Sequence, residues 1–301
     1  MKAPLEDLAS MVLFAQVVQR RSFTAAAREV GLAKSAVSKR ITALEERLGV
    51  RLLTRTTRSL TLTEEGLRYY EHCAALLAAA DAAEDAVAGA STAPRGPLRV
   101  SAPVTLAQMH LADAIAAFLL RYPEIEIDLA VEDRVVDVVE GGFDVAVRVT
   151  RLADSSLVAR RLATDRLVVC GAPAYLDARG RPATPADLIG HACLHYALVP
   201  RAAEWRFRGA RGAYSVPVRG NFTASNGTVL VRAAVAGLGL AVAPRFMVAA
   251  EVAAGRLELV LEGFRRAEIG IHAVFPSRKQ LPARTKLFVD HLVRWFADRW
   301  P

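Results

Sequence analysis

Residues 22–49, SFTAAAREVGLAKSAVSKRITALEERLG, restrict what this chain can fold into more than any other stretch. They hold two short amphipathic segments separated by Gly31–Leu32. Ser22 stands where a hydroxyl can accept from an unpaired amide in the first helical turn. Ala25, Ala26, Ala27 and Val30 are small and apolar, so that helix can lie close against a partner. Gly31 falls where a left-handed residue ends a helix, a conformation glycine takes without strain. In the second segment Val37, Ile41, Leu44 and Leu48 recur at steps of four, three and four, one buried stripe. Lys34, Ser35, Ser38, Lys39, Arg40 and Thr42 occupy its other faces. Together these features predict a helix-turn-helix over about 23–42, the second helix being shaped for a DNA major groove. The competing reading is an ordinary helical hairpin with a solvated, charged outer face.

The next residues favour the DNA reading. Val50 to Thr63, VRLLTRTTRSLTLT, is β-branched and basic with no acidic residue. It splits into strand candidates Arg51–Thr54 and Ser59–Leu62 around Arg55, Thr56, Thr57 and Arg58, a wing beside the recognition helix. Residues 1–63 carry eleven Lys/Arg against five Asp/Glu, a net of +6 out of +8 for the whole chain. Positive charge concentrated in a fifth of the length is the electrostatic footprint of nucleic-acid binding. The expected DNA contacts are Ser22, Thr24, Lys34, Ser35, Ser38, Lys39, Arg40, Thr42, Arg55, Thr56 and Arg58, with the wing arginines on phosphate and the helix head on bases.

Glu64 to Gly89 reverses the charge, with six acidic residues against one arginine in an alanine-rich run. Leu67, Tyr70, Ala74, Leu77 and Asp81 follow steps of three and four, near a coiled-coil seam. A long helix of this kind suits a homodimer, whose two heads would read two half-sites. A helix lying on its own domain is the alternative.

After the short linker ASTAPRGP the pattern changes to strands alternating with helices. Strands are expected at Leu98–Ala102, Ile125–Val131 and Phe143–Val149, with helices over Leu106–Tyr122 and Arg134–Glu140 between them. That βαβαβ order implies a parallel sheet with right-handed crossovers. Leu157–Gly171 reads as extended, Trp205–Thr223 as a hairpin and Thr228–Ala236 as a helix. Leu238–Ala243 precedes another helix, Ile269–Phe275 is a returning strand, and Ala283–Trp300 is amphipathic with Leu287, Leu292, Val293 and Phe296 near its buried side.

The segments FTAAAREVGLAKSAVSKRITALEERLGVRLLTRTTRSLTLTEEG, RGPLRVSAPV, RYPEIEIDL, GFDVAVRV, DSSLVARRL, NGTVLVRAAVAGLGLAVAP and PSRKQLPARTKLFVDHLV resemble, in order, those of LysR-type transcriptional regulators. The likeness covers nearly the whole chain. It implies an α/β protein overall: a mainly α winged helix-turn-helix at 1–63, a linker and dimerisation helix at 64–90, a hinge at 91–97, and an effector-binding domain at 98–301. That domain would have the two-lobed α/β fold of periplasmic binding proteins, lobe I taking about 98–163 and 268–301 and lobe II about 164–267. The resemblance puts base contacts on Lys34, Ser35, Ser38 and Lys39, leans towards a homotetramer rather than a homodimer, and brings RNA polymerase in as a further partner at a promoter.

Ligands of open α/β sheets bind outside the carboxyl ends of the strands. The effector cleft is therefore expected at Ser101, Pro103, Val104 and Thr105, at Arg148, and at Ser225, Asn226 and Thr228. Two of these groups open helices, where free amides and the helix dipole favour an anion, so a small carboxylate is the expected effector. The alternatives are a simple helix cap for Ser101 and Thr105, and a surface ion pair with Asp144 or Asp154 for Arg148.

Other classes fit less well. The sequence shows no basic-then-apolar leader and no charge-free run long enough to span a bilayer, so the expectation is a cytoplasmic protein without a membrane partner. Cys73, Cys170 and Cys193 are odd in number and widely spaced, as reduced thiols would be. His191 and His195 sit four apart, but Pro185 and Gly190 point to a loop, so no metal and no cofactor is expected. A helix-turn-helix fused to an enzymatic or purely structural α/β domain is the alternative function. It lacks a GxSxG, HExxH, P-loop or GxGxxG in a strand–turn–helix setting.

Overall fold

The first three helices form because each has one apolar face and the three faces meet. They are α1 (Leu5–Arg20), α2 (Phe23–Glu29) and α3 (Lys34–Leu48) in the computed structural model, which describes residues 5–55, 60–88, 94–139, 141–150, 157–199, 204–209, 212–264, 268–276 and 281–300. Leu13, Phe14 and Val17 of α1 pack on Ala26 and Ala27 of α2 and on Val37, Ile41 and Leu44 of α3. The Ser22 hydroxyl accepts from the Ala25 amide at 3.2 Å, and Gly31 takes φ +66° at the turn, as the sequence predicts. The wing strands are β1 (Leu53–Arg55) and β2 (Leu60–Leu62), antiparallel with Leu53 opposite Leu62. Arg51 and Leu52, expected in the first strand, lie outside it. The Leu52 and Leu53 amides instead donate to Glu45 Oε1 of α3 at 2.8 and 3.0 Å, which ties the wing to the recognition helix.

The helix α4 (Glu64–Ala88) starts where the Thr63 hydroxyl accepts from the Gly66 amide at 2.9 Å. Its first half does not present the expected seam outward. Tyr70, Cys73 and Ala74 are buried in the head core beneath α1, so for these turns the helix lies on its own domain. Ala75, Ala79 and Ala83 face solvent.

Lobe I begins with β3 (Gly96–Ala102), the helix α5 (Val104–Arg121), β4 (Ile125–Val131) and β5 (Val145–Thr150). β4, β3 and β5 are parallel neighbours. Arg134–Val139 is irregular, with a turn at Val138–Val139, rather than the predicted helix. Its four valines lose rotamer freedom in a helix, and Asp137 closes turns instead, its carboxylate accepting from Val139 N at 2.8 Å and its carbonyl from Gly141 N at 2.9 Å. The chain then crosses to lobe II along β6 (Leu157–Gly171), followed by α6 (Pro173–Arg179), β7 (His195–Tyr196), the hairpin β8 (Glu204–Gly209) and β9 (Gly212–Pro217), β10 (Thr223–Ala224), α7 (Gly227–Val235), β11 (Ala241–Pro244), α8 (Arg245–Ala253) and β12 (Glu258–Val260). Thr223 leaves the predicted hairpin and pairs in parallel with His195. The return strand β13 (Glu268–Pro276) inserts antiparallel between β5 and β6, and α9 (Ala283–Arg299) closes the chain.

The main sheet runs β11-β6-β13-β5-β3-β4, with β12 also on β6. It is mixed, not wholly parallel as expected, because β13 comes back from lobe II and enters against its neighbours. β6 pairs with β13 up to Arg166 and with β11 from Leu167. Lobe I has its core between the sheet, α5 and α9, with Phe118 against Phe288 at 5.1 Å between ring centroids. α5 is long and apolar enough by composition to cross a membrane, but it carries Asp113 and buries Leu106, Leu111, Ala114 and Phe118 in this core.

Candidate DNA-binding surface and effector cleft

The recognition helix is positioned by its buried stripe, and what that leaves outward is determined by helix geometry. At about 100° per residue, Ser35, Lys39 and Thr42 fall within about 60° of one another, opposite Val37, Ile41 and Leu44. All three are exposed; Ser38 is half-buried beside them, and the exposed Lys34 opens the helix about 100° round from Ser35. Arg40 is exposed but turns to another side, where it lines a shallow apolar groove with Val12, Leu13, Gln16, Val30 and Leu32. Ser22 spends its oxygen on the helix cap, and Thr24, two residues on, is exposed. Arg55 ends the first wing strand, while Thr56 and Arg58 lie outside the described residues.

The cleft residues converge from both lobes. Ser101, wholly buried at the end of β3, accepts from Arg148 Nη1 at 3.3 Å. Thr105 at the start of α5 meets Thr228 of α7 across the lobes, hydroxyl to hydroxyl, at 2.6 Å. Neither Ser101 nor Thr105 caps the helix, whose N-cap is Pro103 with no side-chain bond. Asn226 does cap α7, its Oδ1 accepting from the Val229 amide at 3.1 Å. Ser225 is exposed.

Sequence reasoning missed Asp133. Its carboxylate accepts from the Val104 amide at 3.0 Å and from Asn226 Nδ2 at 2.6 Å, bridging the two lobes. An internal carboxylate thus occupies the helix N-terminus where an effector anion was expected. The available signal was the acidic pair Glu132–Asp133 directly after a strand that ends at the cleft. Tyr196 lies nearby: burial, with a smaller contribution from Asp133, pushes its phenol up to about 12.

Arg148 is 8 % exposed, not the surface residue of the alternative reading. Its guanidinium donates to Ser101 Oγ, to the Val147 carbonyl and, through Nη2, to the Val136 carbonyl, each at 3.2–3.3 Å. Every one of these acceptors is neutral. Asp144 is engaged elsewhere, accepting from the Arg99 amide at 2.9 Å, and Asp154 lies outside the described residues. Burial lowers the Arg148 pKa, with Glu132 opposing. Among the described residues no carboxylate bonds this guanidinium directly, and a buried cation so placed carries a cost that an incoming anion would recover.

The three thiols are buried and unpaired, and desolvation pushes each up to about 12. At pH 8 the thiolate fraction is then on the order of one in ten thousand. A colorimetric disulfide reagent should titrate no thiol in the native protein within minutes and all three after denaturation. Rapid native labelling would contradict the buried placement.

The comparisons with known proteins cover both halves of the chain. A family described as bacterial regulatory helix-turn-helix protein, lysR family, matches residues 8–67, and the LysR substrate binding domain matches residues 91–297. The chain is 34 % identical to the HTH-type transcriptional activator AaeR of Escherichia coli K12 over 296 residues, 98 % of this chain and 95 % of the relative. It is 33 % identical to the HTH-type transcriptional repressor PA14_22550 of Pseudomonas aeruginosa, covering 98 % and 93 %. In three dimensions it is similar to CrgA, a LysR-type regulator of Neisseria meningitidis, with TM-score 0.62, 34 % identity and coverage of 98 % and 99 %. A full-length OxyR variant from Pseudomonas aeruginosa, at 16 % identity, TM-score 0.72 and coverage of 96 % and 94 %, shares the fold. Head, wing and two-lobed domain together place the chain in the LysR family of DNA-binding transcriptional regulators.

Proposed function

We propose that this regulator reads a promoter sequence through α3 and the wing, and that a small carboxylate in the cleft between lobes I and II modulates it. The observation that carries the effector class is Arg148, a buried guanidinium among neutral acceptors. The site consists of Ser101, Pro103, Val104, Thr105, Arg148, Ser225, Asn226 and Thr228, to which Asp133 is added. Asp133 selects among carboxylates, favouring one that also carries a hydrogen-bond donor to meet it. The effector acts by binding one arrangement of the lobes more tightly than another, since only differential affinity shifts a population. A thermal-shift panel of small carboxylates, with and without hydroxyl or amino groups, tests this reading. Stabilisation by none of them would overturn it.

On the DNA side, Lys34, Ser35, Ser38, Lys39 and Thr42 face the bases, while Arg55, Thr56 and Arg58 meet phosphate; Ser22 and Thr24 flank the groove and Arg40 stands apart. Lys39→Ala should cost about 1–3 kcal/mol on the operator and little on random DNA. Arg55→Ala should weaken both alike and flatten the salt dependence by about one unit of slope. Fluorescence anisotropy against both DNAs across a salt series distinguishes them, and the reverse pattern would undo the division into base and phosphate contacts. Two or four copies of the chain, joined through the exposed alanine side of α4, would present paired heads to half-sites in the cytoplasm, where RNA polymerase is the further partner.

A further inference from the structure

The DNA-binding head touches lobe I of its own chain, and the contact is built from specific groups. Arg99 of β3 sends Nη1 to the carbonyl of Gln19, in the last turn of α1, and to the carbonyl of Gly141 at 2.8 Å. Its Nε bonds Asp128 Oδ2 at 3.2 Å and its guanidinium carbon stands 4.9 Å from the centre of the Phe143 ring. A guanidinium at the carbonyl end of a helix satisfies an orphan acceptor and complements the helix dipole. Beside it Gly142 takes φ +64°, and a β-carbon there would stand 3.1 Å from the Gln19 Cα and 3.3 Å from the Tyr70 hydroxyl. The backbones approach as closely as a glycine permits. Val139, in the same turn segment, packs against the head core.

The surrounding charge agrees. Arg20 follows Gln19 and is held protonated chiefly by its bond to Glu29 at 2.8 Å, with Asp128 and Glu126 of β4 contributing to the same effect. A basic helix end thus faces an acidic strand edge.

We propose that this face of lobe I is a docking surface for the chain's own DNA-binding head, with Arg99 as its latch. The head's orientation is then set by the effector domain directly and not only by the linker that joins them. The latch stands on β3 two residues from Ser101, on the same face of the sheet, and the carbonyl of Arg99 accepts from the Asp144 amide at 2.8 Å just before β5, the strand of Arg148. The docking surface and the cleft therefore share two strands. This inference does not depend on which effector the cleft takes.

The test is a distance between spin labels on the full chain at Arg28→Cys in the head and Glu124→Cys in lobe I. Labelled chain is mixed with excess unlabelled chain so that only intrachain distances are read, and the native thiols are buried. The otherwise unaltered protein should give one narrow distance. Arg99→Ala should lose it, and so should Arg99→Lys, which keeps the charge but not the planar group that lies over Phe143 and holds Nη1 at both carbonyls. Asp128→Asn should keep it, because that ion pair is exposed on its acidic side. A broad distribution in the unaltered protein, or a narrow one in both Arg99 variants with lobe I still folded, overturns the proposal. If Arg99→Ala fails to fold, Arg99→Lys decides alone.

Discussion

Arg148→Met should abolish most of the carboxylate-induced stabilisation of the effector domain. A bound ligand at a hundred times its dissociation constant stabilises by about 2.7 kcal/mol. A hydrogen bond to a charged group is worth about 1.5–3 kcal/mol, and losing the upper value weakens affinity roughly a hundredfold. At unchanged ligand concentration the stabilisation then falls to about 0.4 kcal/mol. For a domain of this size that takes a shift of about 5–10 °C down to about 1 °C. Methionine fills much of the same space, and the ligand-free protein sheds a buried charge while leaving Ser101 Oγ and the Val136 carbonyl short of a donor. Those two effects oppose each other, so the variant should stay folded. Differential scanning fluorimetry with the best carboxylate of the panel reads the result. A shift as large as that of the unaltered protein would remove Arg148 from the site.

Ile41→Ala should unfold the head while leaving the cleft at work. Ile41 is wholly buried where α1, α2 and α3 meet, and truncating such a side chain costs about 2–5 kcal/mol. A core of some sixty residues rarely supplies more than about 3–5 kcal/mol, so the substitution removes most or all of the head's stability. Specific DNA binding should disappear at 37 °C, with a new low-temperature step in the circular-dichroism melt. The carboxylate response should persist, because the lobe I core is made of other residues. Retention of operator affinity would mean that the recognition helix does not need its buried stripe.

Local patterns legible in the sequence were those with a strong local cause. The cap at Ser22, the left-handed Gly31 and the stripe of Val37, Ile41 and Leu44 follow from spacing and side-chain chemistry alone, and they appear as expected. Most strands of the effector domain were legible for the same reason. The predicted helix over Arg134–Glu140 failed because Asp137 offers its neighbours a competing turn and Arg148 draws on the Val136 carbonyl, a partner twelve residues away. The acidic pair Glu132–Asp133 marks the strand end, but the bridging role of Asp133 does not follow from it, because its two partners, Val104 and Asn226, lie 29 and 93 residues away and come from different lobes. The burial of Tyr70 and Ala74 against α1 was likewise a tertiary choice between two faces that the periodicity of α4 serves equally well. Arg40 stands about 100° round the helix from Lys39, since adjacent helical residues diverge by that angle, so the basic run of the sequence spreads over more than one face.

The lobes are joined along β6, a strand of 15 residues whose first part pairs with β13 and whose last part pairs with β11 and β12. A strand hydrogen-bonded at both ends resists stretching and in-plane bending, while its twist is soft. β6 thus behaves as a torsion bar, and the easy relative motion of the lobes is rotation about it. A message leaving the cleft would be an angle, set by a few degrees of strand twist, before it reaches any neighbouring part of the molecule.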